Sequence, residues 1–138
     1  MRMSDLVKWL HFPPLGDDRG SLVALEEAKT IPFEIKRVYY LFGTKKNVRR
    51  GLHAHLVLKQ VLLCVTGSCN ILLDDGTKRE SVTLDSPTKG LLINGMVWRE
   101  MTDFTPDCIL LVVASEHYNE NDYIRSYKEF KKLLSNIK

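Results

Sequence analysis

From Ile35 to Ala114 the chain is cut into short apolar and β-branched runs, each ended by a turn signal. Residues 35–42 (IKRVYYLF) precede a polar loop over 43–50, and a short strand over 51–55 follows. The apolar run 60–66 (QVLLCVT) ends at Gly67-Ser68, and 69–73 (CNILL) runs into Asp74-Asp75-Gly76, a tight-turn sequence. Residues 79–84 alternate, Asp85-Ser86-Pro87 breaks the chain, and strands over 90–93, 97–101 and 108–114 (CILLVVA) complete the series. At least seven short strands with regular turns predict an all-β sandwich or closed barrel. Upstream, Pro13-Pro14 and Gly16-Asp17-Asp18-Arg19-Gly20 form a turn before a strand over 21–25. Downstream, Tyr123, Tyr127, Phe130 and Leu134 recur at helical spacing with Ile124 beside them. They predict one packed C-terminal helix over about 121–135, capped by Asn119 or Asn121. No repeat or linker interrupts the series, so residues 1–138 are expected to form one domain.

The bulk numbers exclude several classes. A formal charge of +3 is too mild for a nucleic-acid binder, which needs a dense basic face. No apolar run approaches the roughly 20 residues that span a bilayer, and the N-terminus lacks a secretion signal. The expected setting is therefore cytoplasmic, without membrane or nucleic-acid partners. The three cysteines, Cys64, Cys69 and Cys108, lie in or beside apolar runs and form no Cys-x-x-Cys pair, so they read as buried free thiols. The positive charge does concentrate in Lys45, Lys46, Arg49 and Arg50. This is either a solvated loop or a site for a small phosphorylated ligand.

That basic run leads into His53-Ala54-His55. In a strand, residues i and i+2 share a face, so the two imidazoles can share a metal or present bases to one substrate. Gln60 follows five residues after His55, and Gly67 lies beyond it. The arrangement resembles the first motif of the cupin barrels, His-x-His followed by Glu and then Gly. The stretch from Gly90 to Arg99 corresponds to the second motif, which normally supplies another histidine. Here the Glu position holds the uncharged Gln60, and the third histidine position holds Arg99, a cation with no lone pair. Two imidazoles alone make a poor catalytic metal site. No metal is therefore expected, and the pair is assigned to acid–base work. Arg19, Arg50 and Arg99 are candidate phosphate or oxygen binders, and Tyr39 and Trp98 candidate stacking surfaces. Tyr39 and Tyr40 alternate, so at most one faces a pocket. Lys36 and Arg37 read as ordinary strand-surface charges. Lys59 and Gln60 complete the expected substrate-binding set.

Several phrases in order resemble the sugar-nucleotide 3,4-ketoisomerases of the cupin superfamily: Asp18-Arg19-Gly20-Ser21-Leu22, residues 35–40 (IKRVYY), residues 50–55 (RGLHAH), Leu84-Asp85-Ser86-Pro87, residues 97–101 (VWREM) and Asp122-Tyr123-Ile124-Arg125. The resemblance implies a cupin-like jelly-roll β-barrel and a homodimer that exchanges N-terminal strands. It implies conversion of dTDP-4-keto-6-deoxyglucose into a dTDP-3-keto-6-deoxyhexose through an enediol, without metal or organic cofactor. The product would be aminated and built into bacterial surface glycans or antibiotics. His53 is expected to be the principal base and His55 its partner or proton shuttle. The combination of Arg19 and Arg99 leaves the galacto and gluco epimers both open. The alternatives are an epimerase of the same barrel type that leaves the ketone in place, and a non-catalytic sugar-nucleotide binder.

Overall fold

Strand β6 (Gln60–Thr66) explains much of the architecture. Its first five residues are all buried, because apolar side chains on both of its faces find cover. Leu62 and Cys64 point into a core that includes Ile71, Leu73, Leu91, Leu110 and Val112. Val61 and Leu63 point the other way, into a second cluster with Phe12, Ile31 and Val113 that residues from Val23 to Ile35 help to cover. A strand buried on both faces reads as an unbroken apolar run, which is what the sequence shows here.

In this computed structural model residues 6–137 are described. Two five-stranded antiparallel sheets enclose the core. The first has the order β1-β9-β6-β11-β4, with β1 Lys8–His11, β4 Arg37–Phe42, β9 Lys89–Ile93 and β11 Ile109–Ala114. The second has the order β12-β5-β10-β7-β8, with β5 Arg50–His55, β7 Cys69–Asp74, β8 Arg79–Leu84, β10 Trp98–Thr102 and β12 Tyr123–Ile124. A separate hairpin pairs β2 (Leu15–Asp17) with β3 (Gly20–Leu22). The all-β, cupin-like sandwich with one C-terminal helix is thus as expected.

Helix α1 (Tyr127–Ile137) starts later than the periodicity suggested. Residues 120–122 make a 3-10 turn capped by Asn119, and Tyr123 and Ile124 pair with His55 and Ala54 of β5. The aromatic and β-branched pair finds strand partners there, and Ser126 opens the helix instead, its hydroxyl accepting the Glu129 N–H at 3.2 Å. The helix packs Phe130 on Trp98, ring centroids 5.9 Å apart. It sits over the β7–β8 turn, where Tyr127 donates to Asp74 at 2.8 Å. Gly76 has φ +94 there, a conformation glycine adopts without strain, and its missing side chain leaves room for Leu134 above the turn. The expected strand over 21–25 shortens to β3, since Val23 and Leu25 turn to cover the second apolar cluster. Strands β1, β2 and β12 carried too few residues to stand out as runs.

Candidate active site

The histidine pair is placed by a close crossing of β5 and β10. His53 lies opposite Arg99, and the register slips between Arg99 and Glu100. Gly51 adopts φ +82, and a Cβ on it would meet the Arg99 carbonyl oxygen at 3.0 Å. Leu52 also has positive φ, 59°. This kinked entry lets β5 approach β10 before resuming the alternation that puts His53 and His55 on one face. Their ring centroids are 4.8 Å apart and their planes nearly perpendicular. Tyr123, arriving on β12, touches both rings, at 5.0 and 4.4 Å.

The two imidazoles have different surroundings. His55 is fully buried, and its Nδ1 lies 3.1 Å from Oδ2 of Asp122. The other carboxylate oxygen of Asp122 accepts the backbone N–H groups of Leu56 and Val57 at 3.1 and 2.9 Å. The carboxylate is thus held by the backbone and favours the tautomer with the proton on Nδ1 of His55, leaving a lone pair on Nε2. That Nε2, and Nδ1 of His53, are buried without a hydrogen-bond partner. His53 is only partly buried and faces a cavity. Burial and the Arg99 charge push His53 down to about 4, and the same two causes push His55 lower still. Both rings are neutral near pH 7 and able to accept protons.

The cavity in front of His53 has a volume of about 420 Å³. Tyr39, Leu41, Met101 and Tyr123 line it, with the guanidinium groups of Arg37, Arg50 and Arg125. No carboxylate side chain joins them among the described lining residues. Arg125 pairs with Glu120 at 2.7 Å and lies 4.2 Å over the Tyr123 ring. Arg37 lies 5.0 Å over the Tyr39 ring, and its Nε is buried without a partner. A wall of guanidinium forks and aromatic faces is suited to an anionic ligand with a flat or sugar-like portion.

Behind this wall, Arg99 is fully buried. Its Nη1 donates to Oε1 of Gln60 at 2.5 Å, and its Nη2 donates to the Val97 carbonyl at 2.9 Å. Gln60 in turn donates through Nε2 to the Tyr39 hydroxyl oxygen at 2.9 Å. Burial lowers Arg99 to about 10, so it stays charged. These residues do not fit a cupin metal: the Gln60 oxygen is taken by Arg99, and the guanidinium itself stands as a buried cation with no lone pair in place of a third histidine. Among the described residues, the group of three or more His, Cys, Asp or Glu donors close enough to share an ion is Cys64, Cys69 and Cys108, buried in the opposite part of the core.

The structure therefore brings together His53, His55, Tyr39 and Arg50, with Gln60 and Arg99 one layer behind. It separates three other expected substrate contacts. Trp98 is buried beneath α1, with Nε1 donating to Glu100. Lys59 is exposed and outside the cavity lining. Arg19 sits on the β2–β3 hairpin with its side chain 87% exposed, paired with Asp17. Arg37, read as a surface charge, instead lines the cavity, because the alternation that turns Tyr39 inward turns Arg37 inward too. The sequence reading gives Asp122 and Arg125 no role at the site and puts Tyr123 on the packed face of the helix. Their signal was present in the phrase Asp122-Tyr123-Ile124-Arg125, masked by the helical periodicity counted through Tyr123.

Residues 5–135 match the family model described as FdtA: WxcM-like, C-terminal. The chain is 54% identical over 130 residues to a TDP-4-oxo-6-deoxy-alpha-D-glucose-3,4-oxoisomerase of Aneurinibacillus thermoaerophilus, covering 94% of each chain. It superposes on a crystal structure of a 3,4-ketoisomerase from Helicobacter canadensis with a TM-score of 0.91 at 50% identity, covering 94% of this chain and 97% of that one. It superposes equally well, TM-score 0.93 at 42% identity and 97% of each chain, on a mutant 3,4-ketoisomerase from Thermoanaerobacterium thermosaccharolyticum in complex with TDP-4-keto-6-deoxyglucose.

Proposed function

The chain belongs to the WxcM-like FdtA family, and from that premise we propose that it is an isomerase that moves the ketone of dTDP-4-keto-6-deoxyglucose from C4 to C3. The ketone at C4 acidifies the C3 proton. His53, neutral and facing the cavity, takes that proton, and the C3–H electron pair forms the C3=C4 double bond of an enediolate. A proton delivered to C4, with the proton of the C3 oxygen passed to the C4 oxygen, leaves the 3-ketone and a C4 hydroxyl, with no net change in atoms. Arg37, Arg50 and Arg125 are assigned to the diphosphate, and the aromatic faces to the base or sugar. His55, held by Asp122, is assigned as the partner of His53. The observation that carries this reading is a carboxylate-free, guanidinium-lined cavity with a neutral imidazole in its wall. Carbon NMR of the product from dTDP-4-keto-6-deoxyglucose tests it. A carbonyl at C3 is expected, with the coupling at C4 reporting the galacto or gluco epimer. A ketone that stays at C4 sinks the isomerase reading and favours an epimerase.

We further propose that the working form is a homodimer with exchanged N-terminal strands. The β2–β3 hairpin pairs with no other strand among the described residues, and all six of its strand residues are exposed, Leu15 and Leu22 included. The outer face of edge strand β4 leaves Val38, Tyr40 and Phe42 at 56%, 60% and 70% exposure, an apolar strip of the kind that marks interfaces. Exchange would cover both surfaces and carry Arg19 toward the partner's cavity. Mixing Arg19→Ala with His53→Asn chains after joint refolding should restore activity, since one site of each mixed dimer would be intact. No complementation, or a monomer by light scattering, contradicts the exchange. The three free buried thiols support a reducing, cytoplasmic setting. No helix among the described residues is long and apolar enough to cross a membrane.

A further inference from the structure

We propose that Arg99 and Gln60 act as a positioning relay that turns the Tyr39 hydroxyl into a hydrogen-bond donor aimed at the cavity, where Tyr39 serves as the catalytic group that stabilises the enediolate oxygen. The inference rests on the isomerase reading above for its substrate, though not for the direction of the relay.

That direction follows from donor and acceptor capacity alone. Arginine has donors and no acceptor, so the Gln60 atom facing Nη1 of Arg99 must be the amide oxygen. The Gln60 NH₂ group is then left to face Tyr39, and it donates to the phenol oxygen. With that oxygen accepting, the one proton of Tyr39 must point elsewhere. No other hydrogen bond of this hydroxyl is found among the described residues, and Tyr39 lines the cavity. The chain Arg99, Gln60, Tyr39 thus runs one way, from a buried cation to an O–H whose proton Gln60 does not take up.

The expense of the arrangement favours a role in the reaction over a structural one. Arg99 is fully buried and has no ion pair among the described residues. An apolar residue would fill such a site more stably than a guanidinium without a carboxylate. A reaction that develops negative charge in the adjoining cavity gives the cation something to stabilise. When the C3 proton leaves for His53, the electron pair shifts onto the C4 oxygen, which accepts a stronger hydrogen bond from Tyr39. The phenol keeps its proton, since burial raises Tyr39 above its ordinary 10.

Gln60→Glu tests the relay with one isosteric change. A carboxylate accepts from both sides, so Arg99 still donates to it, and Tyr39 must now donate to it as well, turning its proton away from the cavity. The expected result is a fall in kcat of about 10²–10³-fold with KM little changed, like that of Tyr39→Phe. Melting temperature should hold or rise, and the double variant should be no worse than either single one. A Gln60→Glu enzyme within about threefold of wild-type kcat overturns the relay, since a merely structural Gln60 predicts that outcome. Tyrosinate absorbance, read as wild type minus Tyr39→Phe, tests the direction without turnover. Tyr39 should ionise at higher pH in Gln60→Glu, having lost a donor to its oxygen and gained a carboxylate, and an unchanged midpoint contradicts the inference. If wild-type protein forms no 3-ketone, the isomerase reading and the role for Tyr39 fail, while the absorbance result still decides the relay.

Discussion

Strand β6 begins at Gln60, in the polar relay behind the cavity, and reaches Cys64 in an apolar core four residues later. At the second place Sγ of Cys64 lies 3.7 Å from Cys69 and 3.6 Å from Cys108. At the first, His53 and His55 stand with their rings 4.8 Å apart. Both clusters hold titratable groups shielded from water, and burial favours the neutral form in each. It pushes Cys108 up to about 12, and together with the Cys69 contact, the larger cause, it raises Cys64, so these two thiols remain protonated and inert. It pushes His53 down to about 4, so the imidazole is a weaker base than a free one but stays wholly in the unprotonated form that can accept a proton. One physical effect silences one end of the barrel and arms the other. The remaining difference is in partners: the thiols touch one another and apolar side chains, whereas the histidines meet Asp122, an opening cavity and the field of Arg99.

The largest expected effect is at the armed end. His53→Asn keeps the shape of the ring's near side and removes the base, so turnover should fall by about 10³-fold or more while dTDP binding, followed by calorimetry, stays nearly intact. Turnover near wild type would remove His53 from its role. Asp122→Asn keeps a side-chain oxygen to accept from Leu56 and Val57, which puts the amide NH₂ against Nδ1 of His55, where it donates and favours the tautomer with the proton on Nε2. About 10- to 100-fold loss in kcat is expected once the charge-assisted bond to Asp122 is gone, with dTDP affinity unchanged. An unchanged kcat would make Asp122 a loop clamp only.

At the silent end, Cys64→Ser should leave kcat per folded molecule at the wild-type value. It should cost about 1–3 kcal/mol of stability in denaturant melts, because a hydroxyl replaces a thiol in an apolar site. A loss of activity in the fully folded variant would break the contrast between the two ends. A smaller effect follows from proton linkage. The folded histidines titrate below the ordinary 6.5, so the unfolded chain binds protons that the folded chain refuses. The stability from these groups is complete above pH 6.5 and is lost as pH falls, toward about 4 for His53 and further down for His55. The melting temperature of His53→Asn should therefore fall less over this interval than that of wild type, and equal slopes would show that His53 is not buried as described.

Much of this was legible in the residues. Alternation and turn residues gave the strands of both sheets except the edge strands β1 and β12, and His53-Ala54-His55 gave a shared face because strand geometry leaves no other choice. Gln60 and Arg99 were recognised as wrong for a metal from their atoms alone. The helix start was not legible, because Tyr123 satisfies a helical period and a strand alternation equally well, and only the acceptors on β5 decide between them. Asp122 was hidden for the same reason. Trp98 illustrates the opposite error: an aromatic residue next to Arg99 was expected to meet the substrate, yet the pleat turns it to the far face of β10, under α1. Arg19 was placed with the substrate from sequence, and a single chain leaves it on an exposed hairpin.

The pH dependence of kcat/KM bears most directly on the claim that burial arms the histidine end. The diphosphate of a dTDP-sugar does not titrate near neutrality, so the acid limb reports the free enzyme's base. A neutral, half-buried His53 predicts a flat profile down through pH 6 and an acid limb approaching about 4. A limb centred near 6.5, the value of an exposed imidazole, would contradict the account.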